Sequence, residues 1–180
     1  MVMKEGAAGI KRTAETRPFL AEDLKEARVV VPVIAYRDAM TLHFANRTVK
    51  LTHLGPAHSM GDTIVYVPEG KVLFAGDLLF NHVIPPIMGS SAGWIKSINE
   101  ILTMDIKVIV PGHGFVGTKD DLAEMKSFIL KLRREVKKCY DHKVPQDKVI
   151  SEINLGIYKD WPHQERLVND VALLYKEFAV

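Results

Sequence analysis

At 180 residues and a formal charge of +2, the chain is long enough for one compact core, and its charge gives no reason to expect nucleic acid or an anionic membrane as partner. Its 47% hydrophobic and 26% charged residues are those of a folded globular protein and exclude a disordered one. The single cysteine, Cys139, leaves no internal disulfide to form, and no apolar run reaches the length of a membrane span, so the expected setting is the cytoplasm.

In chain order, residues 1–27 are mixed and weakly patterned, with helix-like character only over 21–28. Residues 29–36 are apolar enough for a strand, but Pro32 would remove a ladder hydrogen bond and favours an edge. Strands are expected at 40–44 and 48–54 about a turn at Ala45-Asn46-Arg47, and at 63–67 and 71–75 about Pro68-Glu69-Gly70. The period then changes. Trp94, Ile95, Ile98, Ile101 and Leu102 fall at helical spacing, with Ser90 or Ser91 placed to cap. A short buried strand over 107–110 ends at Pro111-Gly112, and Thr118 with Asp121 reads as a capping box opening a long helix. The lysines and arginines over 126–143 are interrupted by Glu135 and Asp141, which makes that stretch the wet face of this helix. Further helices are expected near 146–155 and 163–178. The sum is one α+β domain over 1–180: a mostly antiparallel sheet with helices on one face, an N-terminal segment (1–28) of no clear assignment, and C-terminal helices over 119–180.

Three potential metal ligands punctuate this pattern. His58 lies in Leu-Gly-Pro-Ala-His-Ser-Met-Gly-Asp, Asp77 in Val-Leu-Phe-Ala-Gly-Asp-Leu-Leu-Phe, and His113 in Val-Ile-Val-Pro-Gly-His-Gly. Each is expected at a turn after an apolar strand, where a rigid element can hold a ligand, and each has glycine beside it for close backbone approach. One histidine in a loop is more often a surface or satisfied core residue; three such motifs in series carry more weight.

These three segments, and the tail Trp-Pro-His-Gln-Glu-Arg at 161–166, resemble the second half of metallo-β-lactamase fold hydrolases. The resemblance implies half of an αββα sandwich, with His58 on a first metal, Asp77 bridging and His113 on a second. It also implies hydrolysis of a small ester, thioester or lactam-like substrate at a dinuclear zinc centre, iron or manganese suiting the same ligands. The family's His-x-His-x-Asp-His motif is absent: His43, His53, His82, His142 and His163 form no such pair. Each metal would then hold two protein ligands, fewer than the three plus water of catalytic zinc.

Several readings stay open. The missing ligands could come from a homodimer or from a complementary N-terminal half; the chain could be a non-catalytic remnant or interaction module; or its start could be truncated. His82 is a weak catalytic candidate beside the exposed-loop alternative. Asp62 is either a support for a ligand or an ordinary turn carboxylate. His53 is expected on a solvated strand position, Trp94 in the core, and His163 as a helix cap.

Overall fold

The computed structural model describes residues 2–179, which divide into two compact units between Tyr36 and Arg37. In the first unit, α1 (Val2–Thr16) is followed by two single 3₁₀ turns, Pro18–Leu20 and Asp23–Lys25. The returning chain meets the helix at Gly6, where an added Cβ would lie 2.7 Å from Val29 Cγ1. The expected assignments are corrected here. The helix is at the start, the 21–28 stretch holds only a 3₁₀ turn, and residues 29–36 form no strand. Pro32, which cannot donate to a ladder, sits in that irregular segment.

The second unit is built on a five-stranded sheet whose spatial order is the chain order: β1 (Ala39–Phe44), β2 (Arg47–His53), β3 (Thr63–Val67), β4 (Val72–Phe80) and β5 (Val108–His113). The first four strands pair antiparallel, and β5 joins β4 in parallel. The first hairpin is tighter than expected: Arg47 belongs to β2 and pairs with Phe44, leaving Ala45-Asn46 as a two-residue turn.

Strand alternation decides which face is covered. Ile64, Leu73, Ala75 and Ile109 point to one face and are buried. On that side lie α2 (Ser91–Thr103) and α3 (Lys119–Asp141), both against β4, with α5 (Leu167–Phe178) packed on α3. The register places Met40, Leu51, Val65, Phe74 and Val110 in one row on the other face, with Leu42 and Phe44 beside it. Leu42, Phe44 and Phe74 are exposed, so the second face is apolar and not fully covered. This is the expected α+β arrangement, a mostly antiparallel sheet with helices on one face.

The helices end as their sequences direct. Ser90 caps α2, its Oγ accepting from Gly93 N at 3.1 Å. Thr118 and Asp121 form both halves of the expected capping box on α3. Trp94 is fully buried and donates from Nε1 to the Leu78 carbonyl at 3.1 Å, so it is the core anchor expected of it. Glu177 of α5 accepts from Ser91 N at 2.7 Å and from Ser91 Oγ and Arg133, joining α2, α3 and α5. Helix over 146–155 shrinks to α4 (Val149–Glu152) with a 3₁₀ turn before it. The last helix starts at Leu167, not at 163. His163 has φ +70°, pairs with Glu165 at 3.0 Å and makes no side-chain cap. Cys139 is buried, and burial pushes its thiol above the usual range, which makes it an inert core residue.

Candidate metal centre

A bulge brings two of the three expected ligands together. Gly76 of β4 pairs with Pro111 and Phe80 with His113, so Asp77, Leu78 and Leu79 lie against the single residue Gly112. Gly76 adopts φ +53°, a conformation that costs glycine least, and the chain turns there to present the next side chain. Asp77 is thus inside β4 and His113 is the last residue of β5, whereas both were expected at turns after strands. The result is His113 Nε2 3.4 Å from Asp77 Oδ1.

Gly112 makes this approach possible. A Cβ there would overlap Asp77 Oδ1 and lie 3.0 Å from the Asp77 backbone nitrogen. Gly112→Ala is therefore expected to push the carboxylate aside and weaken zinc binding by about 10- to 100-fold, the scale of disturbing a ligand's support. Competition against a chromogenic chelator reads this, and circular dichroism checks that the fold survives. The glycine beside His58 differs: a Cβ at Gly61 would meet nothing within 4 Å.

His58 arrives from the loop between β2 and β3. Its Nδ1 is 3.7 Å from Asp77 Oδ2 and 3.8 Å from Asp62 Oδ1, both longer than a good hydrogen bond. The residue is only 4% exposed, and its Nε2 is buried with no partner among the described residues. Burial lowers the His58 pKa, against the opposing pull of the Asp77 and Asp62 carboxylates. The imidazole is therefore neutral near pH 7, the form that coordinates a metal.

The surroundings fix the ring positions. Phe80 stacks on His113 with centroids 4.5 Å apart at 13°, and lies 5.4 Å from His58, as does Trp94. Asp62 accepts from Ser59 N at 2.7 Å and from Ser59 Oγ at 2.8 Å, closing the turn that follows His58. Its two open readings merge, since the same carboxylate that closes the turn also faces the ligand. His53 is half-buried, not solvated, and its Nδ1 donates to the Asp62 carbonyl at 2.7 Å. Asn81 was missed by sequence reasoning. It is buried, its backbone N–H donates to the His113 carbonyl at 2.9 Å, and its Nδ2 donates to the Phe115 carbonyl at 2.9 Å. Its position next to the β4 end was the available signal. His82 is half-exposed at φ +55°, with Nε2 3.3 Å from Asp121 Oδ1 and its ring edge-on to Trp161, so it leans on α3.

The donor types fit a divalent transition ion: the neutral imidazole of His58 with Nδ1 toward Asp77, the His113 imidazole with Nε2 toward Asp77, and the carboxylate between them, while His58 Nε2 is a buried nitrogen with no partner among the described residues. Asp77 turns one oxygen to each histidine, so the three donors form two adjoining pairs. Among the described residues no three His, Cys, Asp or Glu side chains close around one point.

The profile of the Metallo-beta-lactamase superfamily matches residues 9–113, more than half of the chain. A metallo-beta-lactamase type 2 of Bacteroides fragilis is 23% identical over 111 residues, covering 58% of this chain and 45% of that protein. The 2,4-dinitroanisole O-demethylase subunit alpha of a Nocardioides strain is 31% identical over 68 residues, 36% of this chain and 20% of that one. The chain thus spans less than half the length of these relatives. A metallo-beta-lactamase family protein from Thermus thermophilus superposes with a TM-score of 0.65 at 19% identity, over 92% of this chain and 58% of that one. Members of the superfamily bind metal ions, often zinc. With the sheet and the profile in agreement, the chain belongs to the metallo-beta-lactamase superfamily.

Proposed function

We propose that this chain provides one half of a metal-dependent hydrolase centre, with His58, Asp77 and His113 as its donors and zinc as the ion, iron or manganese being admitted by the same ligands. The observation that carries this reading is the placing of Asp77, which offers one oxygen to His58 and the other to His113. Bound there, a divalent ion supplies Lewis acidity and lowers the pKa of its water to about 7. The chain's own part is to hold the donors. Burial keeps His58 neutral, Phe80 orients the His113 ring, and Asp62 with His53 fixes the turn that delivers His58.

Two donors per ion fall short of the three plus water of catalytic zinc. The remaining donors come, in this reading, from a second sheet layer against the apolar face at Leu42, Phe44 and Phe74, supplied by a second copy or by a chain bearing His-x-His-x-Asp-His. The substrate class is a small ester, thioester or lactam-like molecule, by analogy with relatives named for β-lactams. A cytoplasmic setting belongs to the same proposal, supported by the lone buried cysteine; among the described helices none is long and apolar enough to cross a membrane.

Metal content by elemental analysis, with the solution mass determined on the same sample, tests this. One or more zinc ions per chain in an assembly larger than one chain is the expected result. Metal-free protein whose melting temperature ignores added zinc overturns it and favours the non-catalytic remnant, a reading that the lack of a closed three-donor cluster among the described residues also suits.

A further inference from the structure

Between β4 and α2 the chain runs irregularly, and residues 84–90 belong to no strand or helix that could fix their backbone. The segment is laced on both sides instead. On one side it meets the loop that carries His58. Met88 N donates to the His58 carbonyl at 3.0 Å, Ser90 N donates to the Ala57 carbonyl at 2.8 Å, and a Cβ at Gly89 would lie 2.6 Å from that Ala57 oxygen. On the other side it meets the C-terminal part of the chain. Ile84 N donates to the Pro162 carbonyl at 3.1 Å, Arg166 Nη1 to the Ile84 carbonyl at 2.7 Å, and Ile87 N to Asp170 Oδ1 at 2.7 Å. The Arg166 guanidinium also lies 5.8 Å from the centroid of Phe80, the ring stacked on His113. The Trp-Pro-His-Gln-Glu-Arg tail and the start of α5 thus reach His58 through this strap and His113 through Phe80.

Asp170 is the costly member of this lacing. Its carboxyl is fully buried, and Oδ2 has no partner among the described residues, so one amide bond stands in for the hydration it gave up. An apolar side chain of the same size would avoid that cost. What the carboxyl adds is a directed bond to a backbone that has no ladder. His58 depends on such direction, because its ring lies 3.7 Å from Asp77 and 3.8 Å from Asp62, too far for either carboxylate to hold it firmly. We propose that Asp170 is a positioning residue for the metal centre: its bond to Ile87 fixes the 84–90 strap, and the strap, through Met88, fixes where the His58 backbone presents its imidazole. The inference rests on the metal-centre reading and adds the group that holds it in place.

Zinc affinity of the full chain, read by chelator competition, is compared in three variants. Asp170→Asn keeps an acceptor for Ile87, Asp170→Leu matches the size and lacks it, and Val136→Ala truncates the core five residues before the end of α3. In the zinc-free proteins, two-dimensional NMR follows the His58 ring and the Met88 amide. The expected result is unchanged affinity in Asp170→Asn and Val136→Ala, and affinity about 10-fold weaker in Asp170→Leu, the low end for disturbing a ligand's support. The His58 and Met88 signals should move in Asp170→Leu alone. If Asp170→Leu does not fold, Arg166→Met tests the strap at its other anchor: it removes the bond to Ile84 from a partly exposed side chain, and the same loss is expected. Unchanged affinity in the variant that lacks the bond overturns the positioning role and leaves the metal centre standing. An equal loss in Asp170→Asn or Val136→Ala shows a general softening of the fold and also overturns it. An unaltered chain that takes up no zinc overturns the metal-centre reading, and the NMR signals then decide alone whether Asp170 positions His58.

Discussion

Replacing Asp77 by asparagine is expected to reduce zinc affinity at both histidines at once, by about 100-fold or more, since disturbing a ligand's support alone costs 10- to 100-fold. The carboxylate turns one oxygen toward each ring, at 3.7 Å from His58 and 3.4 Å from His113. Asparagine keeps the size and one oxygen but loses the charge that draws a divalent ion between two neutral imidazoles. His58→Ala serves as the comparison, because it deletes one donor pair and leaves Asp77 with His113. Chelator competition on the three proteins therefore separates a shared ligand from an incidental one. If Asp77→Asn weakens binding no more than His58→Ala does, Asp77 does not bridge. Asp77 is half-exposed, so the zinc-free fold should tolerate the change, and an unchanged melting temperature would confirm that the loss is local.

The second large effect is on stability and comes from Asp170. This residue of α5 is fully buried; its Oδ1 accepts from Ile87 N at 2.7 Å, while its Oδ2 has no partner among the described residues. Burial raises its pKa to about 7, against the lowering effects of the Ile87 hydrogen bond and of Arg166. The sign follows from proton counts. Between the ordinary value of 3.8 and about 7 the folded chain holds a proton that the unfolded chain has released, so stability falls as pH rises through that window and levels off above it. The full span is roughly 4 kcal/mol, at 1.36 kcal/mol per pH unit, of which about 2–3 kcal/mol lies between pH 5 and pH 8. Asp170→Asn keeps an acceptor for Ile87 and carries no charge, so its stability should lose that slope. Urea unfolding of both proteins at pH 5 and pH 8 measures the difference. Equal slopes would mean that Asp170 stays ionised in the fold.

How far the sequence announced this structure depended on the kind of signal. Hairpins marked by Asn46 and by Pro68-Glu69-Gly70, the Thr118–Asp121 box and the helical stripe from Leu122 to Val136 are local patterns, and the structure forms them where they stand. The first 36 residues misled because apolar Val29 to Ile34 lacks a strand partner, and β-propensity without pairing builds nothing. At the site, the three candidate donors were legible as motifs, but of the groups around them only Asp62 was singled out as a candidate support. His53 and Asn81 act through contacts made only once β2, β3, β4 and the turn after β5 are in place, whereas Asp62 bonds Ser59 three residues away in a local turn. No spacing rule relates Asn81 to His113 or His53 to Asp62. The bulge at Gly76 was equally hidden, since strand length, unlike strand existence, is set by pairing.

Because sheet order equals chain order, the order in which this fold can assemble is constrained. Closing a loop costs more conformational entropy the longer it is, so the two hairpins close at little cost and the nine residues between β2 and β3 cost a little more. Pairing β5 with β4 is the expensive step, because all of α2 must first be laid across the sheet. The contact between His58 and Asp77 therefore belongs to the early, low-contact-order part of folding, and that between Asp77 and His113 to the last. If the three residues are metal donors as proposed, an ion present during synthesis would meet the His58–Asp77 pair before His113 is in place.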